Sequence, residues 1–497
     1  MNDITFEEFY AKFGLESYPF NSFTAENETE KQPALFVTTK LYSPIVQAFK
    51  EGQTLLITGD RGTGKTSILY DFARHSPANT IFCKVDDFSE LDKGYTEAEL
   101  YKFVIRAISN EFFSSAAKVN FYHDKLTDDE RVLLAYFYSN FASDATRGLA
   151  QRAVRKIQVS PAKRAGIALY NFIRNPLNML GHAGATLLAD IIAKSTGGTP
   201  IASQAVEYFP EIAAGIESDF PKPEATYEAL RRLNELVRKS GYNRVVVVFD
   251  KIDEDARFEN AAENISEFIE PILSNNKLLL DDTFQLVFSL WVVPLNFIRD
   301  KVRTQKISSP SLKWQHDDLK RAYDRRIEVF SRNSQSKFSD VFKIDVSDEL
   351  KTEVLELSNG NPRDLWHLFN HIFRCQYSRN SSATKISKVA CEEGMVNFVK
   401  QFNLYEYYPR KANARANSMD VYAYVKHLLK LEAATFTRNQ LNDRAGTGSS
   451  TLNYTVGMEN LGLIDKETTD RGENQYWIRD PKVRFALEKQ IEIKKPQ

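Results

Sequence analysis

Gly59-Asp60-Arg61-Gly62-Thr63-Gly64-Lys65-Thr66 is the stretch of this sequence that decides the fold. It matches the pattern G-x-x-x-x-G-K-[ST], in which glycines let the main chain curl until several N–H groups point at one anion. The largely apolar segment 54–58 before it is typical of a buried strand, and the residues after it are typical of a helix. A strand, a glycine-rich turn and a helix N-terminus together predict a phosphate-binding loop.

The loop also predicts which groups hold a nucleoside triphosphate. The ammonium of Lys65 is expected to reach the β- and γ-phosphates, and the hydroxyl of Thr66 is expected to ligate Mg²⁺. The other residues predicted to bind ATP through the loop are Gly59, Asp60, Arg61, Gly62, Thr63, Gly64 and Ser67.

Composition limits the class of protein. The chain has 497 residues, 42% of them hydrophobic, and a net charge of -1, so no global field attracts it to nucleic acid or to an anionic membrane. Its three cysteines are far apart in sequence, which indicates neither a disulfide framework nor a zinc site and favours a cytoplasmic location. The N-terminus lacks the hydrophobic run of a signal peptide. The most apolar stretch, 176–193, is interrupted by polar residues, so we expect a buried helix pair and no membrane span.

We divide the sequence into four parts. They are a lead-in segment over 1–50, a core over 51–310 with a helical insertion at about 95–235, a helical lid over 311–410 and a winged helix over 417–490. Besides the strand before the loop, the segments 78–85, 244–250 and 283–290 are strand candidates. Strands that alternate with helices predict an α/β fold with a doubly wound parallel sheet.

Acidic residues after the third strand are candidates for metal binding and catalysis. Asp250 ends an apolar run and is expected to hold Mg²⁺ beside Thr66. Many ATPases place a glutamate directly after that aspartate, but here the position is Lys251. To orient or deprotonate the attacking water, Asp253 is our first candidate and Glu254 our second. The alternative is that both are solvated loop acids and that turnover is slow.

Four further residues have the chemistry to act on the γ-phosphate. Ser289, at the end of the fourth strand, is placed to touch the phosphate or the water, although a buried strand serine is nearly as good an interpretation. Arg325 and Arg326 either reach an adjacent subunit's nucleotide or lie on a solvated helix face. Arg363 follows Gly360-Asn361-Pro362 in the first turn of a helix, from which its guanidinium is expected to point back at a phosphate.

Two regions are candidates for contact with double-stranded DNA. The stretch 147–174 is basic and contains no acidic residue, which indicates either a solvated helix face or a phosphate-contacting surface. In the winged helix, the segment 450–461 would enter the major groove, yet it contains no lysine or arginine. That domain is therefore either a DNA contact without strong sequence preference or a module for protein docking and oligomerisation.

The loop, the Asp250 strand and Gly360-Asn361-Pro362-Arg363 together resemble the AAA+/STAND group of P-loop ATPases. The last segment is similar to the second sensor of origin-recognition-type members. Phe13-Gly14-Leu15 with Pro19-Phe20 is similar to the opening of ExeA/TniB-like ATPases, and residues 250–254 are similar to the KAP type. The wing at 475–481 resembles that of prokaryotic STAND-like ATPases.

This resemblance implies an ATPase that works as a molecular switch. The state of bound Mg-ATP would control assembly or conformation, coupled to DNA or to a partner protein, in processes such as phage defence or the movement of mobile elements. One alternative is a homo-oligomeric signalling scaffold that binds ATP with little turnover and acts on an effector protein. Another is a DNA-bound regulator.

Overall fold

The computed structural model describes residues 4–118, 125–154, 223–302, 306–331, 337–410, 419–468 and 474–496. The strands are β1 (Leu55–Gly59), β2 (Thr80–Val85), β3 (Arg244–Phe249), β4 (Gln285–Trp291), β5 (Thr435–Thr437), β6 (Ile464–Thr468) and β7 (Asn474–Ile478). The helices of the N-terminal half are α1 (Phe6–Ala11), α2 (Gln32–Leu35), α3 (Tyr42–Lys50), α4 (Lys65–His75), α5 (Glu97–Lys118), α6 (Asp128–Phe141), α7 (Asp144–Val154), α8 (Pro223–Lys239), α9 (Ala262–Ser274), α10 (Asn276–Leu279) and α11 (Val292–Ile298). Those of the C-terminal half are α12 (His316–Val329), α13 (Asp348–Leu357), α14 (Pro362–Arg379), α15 (Lys388–Gln401), α16 (Val421–Leu428), α17 (Arg438–Ala445), α18 (Thr451–Asn460) and α19 (Pro481–Glu488).

The first four strands form one parallel sheet in the order β1-β4-β3-β2, and the segment 308–311 runs beside β1 through two parallel bridges. Alternate residues of the strands face opposite sides of the sheet. On one face they pack against α5, α8 and α9, and on the other face they pack against α3 and α4. Because helices cover both faces, β1, β3 and β4 are continuous buried runs without polar alternation. The predicted α/β fold with a doubly wound parallel sheet is confirmed.

The helices at both ends of the predicted insertion belong to the core itself. Buried residues of α5, α6 and α8 share one hydrophobic cluster with β2, β3 and β4. Helical periodicity identifies a helix but not its packing partner, so the sequence alone does not show that these helices pack on the sheet. The apolar stretch 176–193 lies outside the described residues. In the described ranges, no helix combines the length and the apolarity that crossing a membrane requires.

The lead-in, the lid and the C-terminal domain share a second hydrophobic core. Phe9, Leu15, Tyr18 and Phe20 of the lead-in are buried against α12 and α14. The same cluster continues through α15 into α16 and α19. The lid and the C-terminal domain are therefore packed as one body.

The C-terminal domain has the predicted helices and wing, together with two elements that the sequence did not reveal. The three-residue strand β5 pairs with β7, and β7 pairs with β6, in an antiparallel sheet. Helix α19 then closes the domain against α13 and α15 of the lid. Together with α16, α17 and α18, this arrangement confirms a winged helix.

Candidate phosphate-binding site

A cleft of about 210 Å³ opens where the core, the lead-in and the lid meet. Its walls come from loop residues 61–68, lead-in residues 23–42, Asp250, Lys251, Asp253, Glu254, Ser289, Leu312, Trp314, Ala322, Arg326, Pro362, Arg363 and Trp366. Most of the predicted site residues therefore line one cavity, although more than 300 residues separate the first from the last.

The loop itself is curled as the glycine pattern predicts. Gly62 and Gly64 have φ of +84° and +88°, a left-handed conformation that side chains rarely adopt. The Trp314 indole donates to the carbonyl of Thr63 (2.8 Å), and the Thr63 hydroxyl donates to the carbonyl of Asp60 (2.8 Å). The loop is thus braced from both sides before helix α4 begins at Lys65.

Lys65 is buried, and its ammonium donates hydrogen bonds to main-chain oxygens. It donates to the carbonyls of Gly59 (3.1 Å) and Asp60 (2.9 Å). Burial lowers the pKa of Lys65 although nearby Asp253, Asp250 and Asp60 oppose the shift. An anion at the loop would favour the charged ammonium and offset part of the desolvation cost of Lys65.

Thr66 and Asp250 are brought together at the floor of the cleft. The Thr66 hydroxyl donates to Oδ2 of Asp250 (3.0 Å), and Lys84 lies 3.9 Å from the same oxygen. Burial raises the pKa of Asp250, although the Ser289 and Thr66 hydroxyls and Lys84 oppose the shift. Ser289 lies close to this carboxylate, but its buried Oγ forms no hydrogen bond of acceptable geometry. A hydroxyl and a carboxylate, with room for phosphate oxygens, are a donor set that fits Mg²⁺.

Lys251 departs from the usual acidic residue and is held in an unusual conformation. Its φ of 61° is left-handed, which is uncommon for a residue other than glycine. Its ammonium pairs with Glu26 of the lead-in (2.7 Å). Burial alone would raise the pKa of Glu26, but the hydrogen bond and the charge of Lys251 lower it below its ordinary value. The lead-in is therefore tied by charge to the residue that follows Asp250.

The two candidate acids have different surroundings. Asp253 is buried, and its carboxylate pairs with Nε of Arg61 (2.6 Å). Nη2 of the same arginine donates to the Asp253 carbonyl (2.7 Å), and the guanidinium stacks over Trp291. Glu254 lines the cleft and remains accessible to solvent. Partial desolvation, followed by the charge of Asp253, raises the pKa of Glu254. Both acids line the cavity, but Asp253 is engaged in bracing the loop, whereas Glu254 has no ion pair among the described residues.

Arg363 lines the cleft at the start of a lid helix. It is the second residue of α14, and its nearest acidic partner is Glu406, at 3.7 Å. Its buried Nε has no hydrogen-bond partner within the described ranges, which fits a guanidinium directed at an anion. Asn361 caps this helix by accepting from the Arg363 amide (2.9 Å).

The structure places Arg325 and Arg326 in contacts within this chain, between helix α12 and the lead-in. Arg326 is buried, pairs with Glu28 and stacks over Trp366 at 4.8 Å. Arg325 donates to the Ala34 carbonyl and pairs with Glu328 (2.7 Å). Both guanidiniums therefore bind the lead-in, which folds back over α12. Arg325 also pairs with an acid of its own helix.

The DNA-contact candidates are less favourable than the sequence suggests. Arg147 donates to the carbonyls of Ser139 and Ala142 (2.8 Å each), so it caps α6 instead of facing outward. Arg152 is exposed, and the stretch from 155 to 174 lies outside the described residues. Helix α18 exposes Leu452 and Val456 to solvent and contains no basic residue.

Sequence reasoning missed three residues at the site. Asn361, Trp314 and Glu26 were not predicted, because each acts through a contact with a distant part of the chain. For Asn361 a signal was present, since an asparagine before proline at a helix start is a preferred N-cap. For Trp314 and Glu26 no local signal exists.

Comparisons with known proteins give limited information. No protein-family model and no curated protein matches the chain. Among solved structures, it is similar to the Aeropyrum pernix ORC2 protein in ADPNP–ADP complexes, with a TM-score of 0.38 and 10% identity over 96% of this chain and 98% of that one. The ADP form of ORC2 gives a TM-score of 0.33 and 10% identity over 96% of both chains. Likeness at this level carries no argument, so the fold assignment rests on the sheet, the loop and the helices described above.

Proposed function

We propose that this protein binds Mg-ATP in the cleft and hydrolyses it, and that the nucleotide state sets the position of the lid and winged helix. The observation that carries this proposal is the convergence of Lys65, the Thr66–Asp250 pair and Arg363 on one cavity behind a curled, glycine-rich loop. Of the common ligands, a nucleoside triphosphate with its metal best matches this set of charges.

In this proposal, separate groups of residues bind the phosphates, the metal and the lid. The loop amides and Lys65 hold the phosphates, and Ser67 continues the N-terminal turn of α4. Thr66 and Asp250 hold Mg²⁺, which supplies positive charge to the phosphate oxygens. Arg363, at the N-terminus of α14, contacts the terminal phosphate and so links it to the lid.

For activation of water, the surroundings favour Glu254 over Asp253. Asp253 is held by Arg61 in two contacts, and moving it would release the loop. Glu254 has no such ion pair in the described part of the chain and lines the cavity, with its pKa raised towards neutrality by desolvation. Ser289 contributes a hydroxyl close to the Asp250 carboxylate, where its dipole favours the ionised form of Asp250.

With the winged helix docked on the lid, their shared core favours movement of the two domains together. Because lid and winged helix have one hydrophobic cluster, a displacement of Arg363 would carry the winged helix with it. We further propose that the protein acts in the cytoplasm, where its three free, buried cysteines stay reduced. Its partner would be a second copy or an effector protein, as in defence against phage or in mobile-element transactions.

A DNA-coupled machine is the second candidate, supported by the winged-helix fold itself. The exposed face of α18 carries Leu452, Val456 and no basic residue, which favours a protein partner over DNA, because DNA affinity depends on phosphate contacts by lysine and arginine.

Steady-state ATP hydrolysis, with and without double-stranded DNA, tests the proposal and separates its forms. We expect Mg²⁺-dependent turnover that DNA does not stimulate, together with a change in molecular size on addition of an ATP analogue. Strong stimulation by DNA would support the DNA machine. Binding without turnover would support the signalling scaffold.

A further inference from the structure

A short connection between the lid and the winged helix is rich in buried tyrosine. We call residues 403–408 the tyrosine strap. Each of its three tyrosine hydroxyls donates to a buried carboxylate: Tyr405 to Asp420 (2.6 Å), Tyr407 to Asp364 (2.7 Å) and Tyr408 to Asp480 (2.9 Å). The strap is thus fixed by side-chain hydrogen bonds more than by regular backbone structure, since only Leu404–Glu406 forms a short 3-10 turn.

The three carboxylates belong to helix starts on both sides of the strap. Asp364 lies in the first turn of the lid helix α14. Asp420 and Asp480 are the N-caps of α16 and α19 in the winged helix. A network of this kind is sensitive to the loss of any member, because each buried carboxylate depends on its donors.

The strap also connects to the phosphate-binding loop through Asn361. The Nδ2 of this asparagine donates both to the carbonyl of Arg61 in the loop and to the hydroxyl of Tyr407 (2.5 Å each). Its Oδ1 accepts from the Arg363 amide. One side chain therefore touches the loop, the helix that presents Arg363, and the strap.

The contact between Asn361 and the loop leaves no free space. A Cβ placed on Gly62 would lie 2.6 Å from Oδ1 of Asn361 and 2.8 Å from Cβ of Arg363. The loop cannot change its curl at this point without displacing Asn361 or being displaced by it. This close packing makes the two positions interdependent.

The far end of the network is a fully buried lysine of the winged helix. Lys482 of α19 is 0% exposed and forms an ion pair with Asp364 (2.8 Å), with its ammonium over the rings of Phe402 (4.3 Å) and Tyr407 (4.5 Å). Removing one partner of such a pair leaves an uncompensated buried charge. Asp364 and Tyr407 thus depend on the winged helix being docked.

We propose that Asn361, Tyr407 and Asp364 are positioning residues that transmit docking of the winged helix to the phosphate-binding loop, and so control how fast nucleotide leaves. The inference rests on the proposed binding of nucleotide at this loop and adds a regulatory contact to that site. With the winged helix docked, Tyr407 holds Asn361 against the Arg61 peptide and keeps the loop curled. With it undocked, Asp364 loses Lys482 and the loop loses its brace.

A matched pair of variants tests this proposal. Tyr407→Phe and Tyr408→Phe each remove one buried hydroxyl from the same strap, but only Tyr407 contacts Asn361. The measurement is the dissociation rate of a fluorescent methylanthraniloyl ADP in stopped flow, with the thermal midpoint of each variant recorded in parallel. We expect Tyr407→Phe to speed release about tenfold, as for the loss of one or two buried hydrogen bonds. Tyr408→Phe should release the probe at nearly the wild-type rate despite a similar loss of stability.

Asn361→Ser provides a second route that does not touch the strap. Serine retains an N-cap for α14 but is too short to reach the Arg61 carbonyl, so release should again be faster. Equal acceleration in both tyrosine variants, or wild-type release in Tyr407→Phe and Asn361→Ser, would overturn the positioning role. Failure of the wild-type protein to bind the probe at all would instead overturn the proposed function.

Discussion

At the scale of single residues, the chemistry of the site depends on where charge is buried. Lys65 and Asp250 both carry a desolvation cost, which shifts the pKa of the lysine down and that of the aspartate up. Such opposed shifts in one cleft are typical of functional sites, where a ligand supplies the missing charges. The burial of these two charged groups, which costs folding stability, is therefore what a ligand-binding site would require.

The assignment of the water-activating acid gives the first prediction. Glu254→Gln should lower the hydrolysis rate about 100-fold or more while leaving ATP affinity nearly unchanged, because general-base catalysis is lost and no loop contact is broken. Asp253→Asn should instead weaken ATP binding, because Arg61 loses its charged partner. Calorimetric binding and single-turnover hydrolysis distinguish the two effects. Normal single-turnover hydrolysis in Glu254→Gln would exclude this acid as the base.

The sequence predicted the residues of the loop motif but not their supports. Lys65, Thr66 and Asp250 are identifiable because their spacing within strand, turn and helix is fixed by phosphate geometry. The Arg61–Asp253 pair joins residues 192 positions apart, and the Trp314–Thr63 bond spans 251. No local pattern encodes such pairings, and for this reason Asp253 was ranked above Glu254 from sequence alone.

At the scale of elements, long apolar runs were predicted well and short or tertiary features were not. The run 245–249 leaves few alternatives to a central parallel strand, and β3 forms there. β5 has only three residues, one of them fully buried, so it gives no periodic signal. The packing of α5 and α8 against the sheet could not be read from their helical pattern, which is the same for an inserted helix and for a core helix.

Helix α14 gives a prediction about pH. Burial, followed by the charges of His367 and Arg374, lowers the pKa of His371 from 6.5 to about 4. A lowered folded-state pKa means that the unfolded chain binds the proton first, so stability is lost as pH falls from about 6.5 to about 4. Allowing for solvent screening, the loss is on the order of 1–2 kcal/mol.

His371→Gln should flatten this part of the stability curve, measured by urea unfolding at a series of pH values. The exposed His316 provides the control, and His316→Gln should retain the wild-type pH dependence. An unchanged slope between pH 6 and 4.5 (roughly the window set by the two pKa values) in the His371 variant would contradict the assignment.

At the scale of the whole molecule, the lead-in packs against the lid in the hydrophobic core that the lid shares with the winged helix. Phe20 is completely buried among Tyr323, Trp366, Phe369 and Phe373, with ring centroids 5.3 to 6.1 Å away. This packing places the lead-in against the lid helices that border the cleft.

Phe20→Ala should destabilise the protein by about 3–5 kcal/mol, as expected for a large aromatic side chain removed from a packed core. Phe297→Ala is a matched control, because Phe297 is 45% exposed and its loss should cost no more than about 0.5 kcal/mol. Denaturant unfolding followed by tryptophan fluorescence measures both. Similar costs for the two variants would show that the lead-in is not part of the core.

The most direct measurement is isothermal titration of the purified protein with ATP in the presence and absence of Mg²⁺, with Lys65→Ala as the comparison. We predict one ATP per chain, tighter binding with the metal, and loss of at least about 2–3 kcal/mol of binding free energy in the variant, because a charged hydrogen-bond partner is removed from the phosphates. Absence of heat with any purine triphosphate in the wild-type protein, or equal affinity in Lys65→Ala, would contradict the account.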